Sequence, residues 1–149
     1  MTFKKVIPDL KTMELTVRRT IPASPAEVYD AWLDPKHPGN PWHDSDMRVF
    51  EPKVGALYYF VHVTEIWRRP HFGRFLLLDR PHKIQQTLMS LSSLGLESVM
   101  TLSFEPRGAD TLLTLHHANL PDEETGRLHE QGWGHYLGLL AGRFEPKRA

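Results

Sequence analysis

The sequence predicts an α+β domain in which a curved antiparallel sheet of about seven strands wraps around one long C-terminal helix. Three observations lead there. Apolar and polar residues alternate with period two in six or seven short segments joined by tight turns. No helical pattern interrupts those segments after the first third of the chain, so they form an antiparallel meander rather than βαβ units. One long amphipathic stripe then closes the chain. It is the only cover long enough for the apolar face of such a sheet.

The elements follow in order. Leu15, Val17 and Ile21 alternate with Thr16, Arg18 and Thr20, which predicts a first strand over 14–21. Arg19 falls on its apolar parity, where it is expected to pair or snorkel outward rather than to read a ligand carboxylate. Ser24-Pro25-Ala26-Glu27 has the form of a capping box with proline in the first turn, and Val28, Ala31 and Trp32 share one face of the short helix behind it. Three prolines between Pro35 and Pro41 forbid a regular helix and predict an irregular loop, with Trp42 carried on a mobile segment. Strands are expected over 47–51, 56–65, 72–78, 83–90, 97–105 and 111–117. A last helix is expected from Pro121 to Gly142, with acidic residues Asp122 to Glu124 in its first turn. His129, Trp133, Tyr136, Leu137 and Leu140 fall within a stripe of about 100°. Its glycines each cost roughly 0.5–1 kcal/mol against alanine, so packing on the sheet must hold this helix.

Composition limits the functions available. Eighteen basic and eighteen acidic side chains balance, which argues against nucleic acid or an anionic membrane as partner. Cysteine is absent, so neither disulfides nor a thiol nucleophile exists. Residues 1–10 carry Lys4 and Lys5 with no apolar run for a signal peptide or span, and a cytoplasmic location is expected. Residues 1–13 form an N-terminal arm and 14–149 a single domain in this reading.

Arg19 to Trp32 (RTIPASPAEVYDAW) resembles the opening of the SRPBCC (START/Bet v-like) superfamily. More narrowly it resembles the branch named for the activator of the ninety-kilodalton heat-shock-protein ATPase. VGALYYF at 54–60, TLSFEP at 101–106, LTLHH at 113–117 and HEQGWGHYL at 129–137 are similar to that branch in the same order. The resemblance implies a helix-grip fold with a cavity between sheet and long helix. Two departures stand out: the proline loop replaces a second short helix, and His43 replaces an aromatic residue after Trp42.

In that fold Tyr58, Phe60 and His62 would face the helix, as would Ile84, Gln86 and Leu88, Met100, Leu102 and Phe104, and Leu113, Leu115 and His117. The resulting expectation is non-enzymatic binding of a small hydrophobic ligand. Trp42, Tyr58, Phe60, Met100, Leu102 and Trp133 would form the apolar wall, and His62, Gln86, His117 and His129 would orient the ligand. No metal or cofactor is expected, because the histidines lack a chelating spacing. One alternative is a cyclase- or hydrolase-like enzyme using His117 or His129 as general base with Tyr58 or Tyr136 as donor. A co-chaperone role ranks behind both, since the activators proper carry an N-terminal domain for which 149 residues leave no room. Leu57, Tyr59, Val61 and Val63 make the opposite face of their strand apolar as well. Either the arm or a second copy of the chain should cover it, so a homodimer through this face is expected.

Overall fold

The computed structural model describes residues 10–146, apart from Pro38, Gly39, Pro41, Asp44, Thr64 and Trp67. The strands are β1 (Thr12–Ile21), β2 (Asp46–Val49), β3 (Leu57–Val63), β4 (Arg68–Asp79), β5 (Lys83–Leu88), β6 (Ser98–Arg107) and β7 (Asp110–Pro121). They form one seven-stranded antiparallel sheet in the order β1-β7-β6-β5-β4-β3-β2. Each strand from β2 onward thus lies beside its successor, and β1 closes on β7. Helix α1 (Pro25–Trp32) follows β1, α2 (Glu124–Phe144) ends the described chain, and a 3-10 turn (Leu91–Ser93) follows β5. This is the expected helix-grip arrangement.

Register shifts bend the sheet. They fall at Met13/Leu15 between β1 and β7, at Met47/Val49 between β2 and β3, and at Phe75/Leu77 between β4 and β5. Each leaves one strand a residue longer than its partner, which increases local twist and curvature. In β7 the extra length falls at Asn119, whose φ of 59° is a left-handed conformation that asparagine tolerates.

The concave face carries the core. Ile84, Leu88, Met100, Leu102, Phe104, Leu113 and Leu115 are all buried there, as the alternation requires. Helix α1 has the expected capping box: Ser24 Oγ accepts from the Glu27 amide, and the Glu27 carboxylate accepts from the Ser24 amide. It buries Val28, Tyr29, Ala31 and Trp32. Helix α2 buries Trp133, Leu137 and Leu140 of the expected stripe, together with Ala141, while His129 and Tyr136 are half-buried. Arg19 is exposed, and its guanidinium lies 3.9 Å from where a Gly138 side chain would begin. It snorkels over α2 rather than entering the interior.

Several expectations need correction. Pro121 ends β7 instead of opening the helix, because it pairs with Thr12 and the next amide, Asp122, donates to the Lys11 carbonyl. Glu123 is the residue before the first helical turn. That turn presses on the strand end: a methyl at Gly126 would stand 1.9 Å from the Pro121 carbonyl oxygen, so only hydrogen fits. Strand β4 begins at Arg68 rather than at residue 72, and β1 begins at Thr12, inside the expected arm. Residues 1–9 of that arm lie outside the described residues, as do Pro38, Gly39 and Pro41 of the proline loop.

On the convex face Leu57 and Val63 are 68% and 44% exposed, whereas Val61 is buried and Tyr59 half-buried. Register places Phe72 opposite Tyr59 and puts Leu77 on the same face, both also exposed.

Candidate functional site

A cavity of about 410 Å³ lies between α2, the start of β4 and the chain after α1. Its aromatic wall is built from three parts of the chain. Phe60 comes from β3, Trp42 from the loop before β2, and Trp133 and Tyr136 from α2. Trp42 packs 4.5 Å from Phe60 and 6.1 Å from Trp133, measured between ring centroids. Trp32, beneath them, stands 5.7 Å from Trp42 and 5.9 Å from Trp133, so three tryptophans meet at one point.

Trp42 is 5% exposed and held firmly, contrary to the expectation of a mobile segment. The reason is Asn40, whose side-chain amide donates to the Ala31 and Trp32 carbonyls at 3.0 and 2.6 Å. Its carbonyl oxygen accepts from the Trp42 amide at 2.7 Å. One buried asparagine therefore caps the end of α1 and fixes the tryptophan.

The polar part of the wall comes from neighbouring strands. His62 pairs with Arg69, and Phe60 with His71, across the β3–β4 ladder. His71 stacks on Phe60 at 4.8 Å with the planes 3° apart. Its Nδ1 donates to the Arg69 carbonyl at 3.0 Å. Burial and the nearby His62, His129 and Arg69 pull its pKa down to about 4. Across the cavity, His129 donates from Nδ1 to the Thr125 and Gly126 carbonyls of its own helix, at 3.0 and 3.1 Å. Burial lowers its pKa as well, partly offset by those backbone bonds. Ser45, Ser92 and Gly132 are the small residues that leave the space open.

His117 sits one layer deeper and is fully buried. Its Nδ1 accepts from the Trp133 indole N–H at 3.0 Å, which makes Nε2 the protonated nitrogen. That N–H donates to Ser98 Oγ at 2.7 Å, and Ser98 in turn donates to the Leu88 carbonyl at 2.5 Å. Every polar atom in this Trp133–His117–Ser98–Leu88 series is satisfied only while the imidazole is neutral. Burial, with His129 and His116 nearby, depresses its pKa to about 3.

Of the ten residues expected to touch a ligand, Trp42, Phe60, His62, His129 and Trp133 line the cavity. Tyr58, Gln86, Met100, Leu102 and His117 do not. Met100 and Leu102 are solid core. Tyr58 donates to the Thr87 carbonyl, with its pKa raised by burial. Gln86 accepts from the Trp32 indole at 2.9 Å and is turned into the core, where its Nε2 has no hydrogen-bond partner among the described residues. Strand parity selects the correct face but not the depth along it, and these five lie behind or beyond the opening. Arg69 and His71 were missed because the strand was started after Pro70. That proline is tolerated because it lies beyond the paired stretch of β5, where β3 is the only strand on the β4 ladder. The inward parity of Arg69 and His71 with Gly73 and Phe75 was the signal available. Among the described residues, no group of three His, Asp or Glu side chains converges as for a metal.

The Activator of Hsp90 ATPase homolog 1-like protein family is matched over residues 22–145. The chain belongs to this family. Among solved structures, a Chromobacterium violaceum protein superposes with a TM-score of 0.78 at 22% identity, covering 91% of this chain and 99% of its own. A Rhizobium loti protein gives 0.74 at 20% identity with the same coverage. The Aha1 dimer of Colwellia psychrerythraea gives 0.70 at 16% identity, covering 92% of this chain and 99% of its own. At these identities the likeness establishes the fold. No curated protein sequence matches the chain.

Proposed function

We propose that this family member binds a small, largely apolar molecule between α2 and the sheet without transforming it. The observation that carries this reading is the 410 Å³ cavity with its wall of Phe60, Trp42, Trp133 and Tyr136. Its size lies in the range of small-ligand sites, and aromatic walls with a few convergent polar groups are their usual lining. Apolar burial at about 25 cal/mol per Å², less the cost of association, would drive binding.

The test uses N-phenyl-1-naphthylamine, a neutral apolar fluorophore, as probe. Its emission should rise on binding and tryptophan emission should fall. Gly132→Leu narrows the cavity from a position with nothing within 4 Å of its added Cβ, so the variant should fold and lose binding. A wild-type protein that leaves probe emission unchanged, or a Gly132→Leu variant that binds equally well, refutes the proposal.

A second copy of the chain is the occupant we propose for the convex apolar face of Leu57, Tyr59, Val63, Phe72 and Leu77. The support is that a structural neighbour, the Colwellia Aha1, is described as a dimer. Light scattering should give twice the chain mass, reverting to the chain mass in Leu57→Lys/Phe72→Lys. A monomer at micromolar concentration refutes it.

A further inference from the structure

The cavity's polar groups restrict the chemistry of its ligand further than its size does. Three imidazoles line it, those of His62, His71 and His129, and two of them have the Nδ1–H committed to a backbone carbonyl: His71 to Arg69, and His129 to Thr125 and Gly126. In a neutral ring the opposite nitrogen, Nε2, then carries a lone pair and can only accept. Burial keeps both rings neutral near pH 7, since both pKa values lie below the ordinary histidine value. Two such acceptors among the residues lining one small space favour a ligand group that donates a hydrogen bond over a carboxylate or phosphate, whose oxygens would oppose the lone pairs. Arg69 lines the same space and disfavours a cationic amine. The group these acceptors favour is a neutral hydrogen-bond donor. The ring-lined wall favours an aromatic frame for it, through offset or edge contacts beyond area burial.

We infer that the cavity is built for a neutral hydroxylated aromatic, a phenol-type molecule that donates its O–H to the Nε2 lone pair of His129 or His71. This rests on the apolar-ligand reading above and adds the donor requirement to it.

The experiment is displacement of N-phenyl-1-naphthylamine at pH 7.5 by four matched naphthalenes: 2-naphthol, 2-methoxynaphthalene, 2-methylnaphthalene and 2-naphthoate. One net hydrogen bond predicts that 2-naphthol binds about threefold to tenfold more tightly than the methyl and methoxy compounds. Naphthoate should bind more weakly than all three. His129→Phe or His71→Phe should bring the naphthol-to-methylnaphthalene affinity ratio to about one, whatever the change in methylnaphthalene affinity itself. Equal binding of naphthol and methoxynaphthalene in the wild-type protein overturns the inference, because an acceptor would then serve as well as a donor. Tightest binding by naphthoate overturns it in favour of anion recognition at Arg69. Both of those outcomes leave apolar binding standing. Failure of the fluorophore itself to bind removes the cavity reading and this inference with it.

Discussion

Acid should destabilise this fold through His117. In the unfolded chain its imidazole titrates at the ordinary value of 6.5, whereas in the folded chain its pKa is about 3. Its folded pKa is the lower one, so the unfolded state takes up the proton first. Its contribution is therefore intact above pH 6.5 and is lost as the pH falls toward 3. At pH 5 the difference amounts to about 2 kcal/mol, from 1.5 pH units at about 1.36 kcal/mol each. His71, with a folded pKa of about 4, adds an effect of the same sign, reduced because its ring borders the cavity. Against an ordinary domain stability of about 5–15 kcal/mol this is a large fraction. The structural cause is specific: a proton on Nδ1 would face the Trp133 indole N–H, donor against donor, 3.0 Å away. Urea denaturation at pH 7.5 and pH 5.0, followed by far-ultraviolet circular dichroism, measures the loss. His117→Phe should be less stable at pH 7.5, where the indole loses its acceptor. It should also lose about 2 kcal/mol less than wild type between the two pH values. An identical pH dependence in the two proteins would refute the reasoning.

Two further substitutions test packing. A methyl at Gly73 would lie 2.0 Å from the Thr87 carbonyl oxygen and 2.8 Å from the Tyr58 hydroxyl that donates to it. Gly73→Ala should therefore cost about 2–3 kcal/mol by thermal denaturation. Gly134→Ala, with open space around it in the middle of α2, should instead gain about 0.5–1 kcal/mol. Asn40→Ala should cost about 1–3 kcal/mol by exposing carbonyls of α1. It should also shift tryptophan emission to the red as Trp42 loosens, and an unchanged spectrum would show that Asn40 does not hold the ring.

The fold was legible because its signals are local and mutually consistent. The Ser24–Glu27 box, the alternation through Met100, Leu102 and Phe104, and the His129–Leu140 stripe each depend on neighbours in sequence, and the structure preserves all three. The site was half legible. Trp42, Phe60, His62, His129 and Trp133 could be placed by parity and family likeness. Arg69 and His71 carry the same parity signal, but Pro70 between them mimics a strand boundary while standing in register with Val61. Nor did any local signal mark Asn40, whose three partners become its neighbours only when α1 ends and the loop folds back. His117 was read correctly as an inward polar residue. Its partners, Ser98 and Trp133, come from β6 and α2, and only tertiary structure reveals that they consume both ring nitrogens.

The cavity would be costly to leave sealed and dry. An empty, sealed void costs about 24 cal/mol per Å³, so a dry space of 410 Å³ would cost about 10 kcal/mol. That is comparable to the whole stability of a domain this size. Three unrelated segments nevertheless place small residues around the space: Ser45 before β2, Ser92 in the 3-10 turn, and Gly132 in α2. A leucine at residue 132 would narrow it, and would also favour the helix by roughly the 0.5–1 kcal/mol that glycine gives up. Stability by itself therefore argues for closing the space, at no cost in fold. The polar rim of Arg69, His62, His71 and His129 lets the interior be wetted, which removes most of the void penalty, and leaves water that an apolar molecule can displace. A wettable cavity with an aromatic wall is the arrangement in which displacing water is favourable, and the tryptophans of that wall make the exchange measurable.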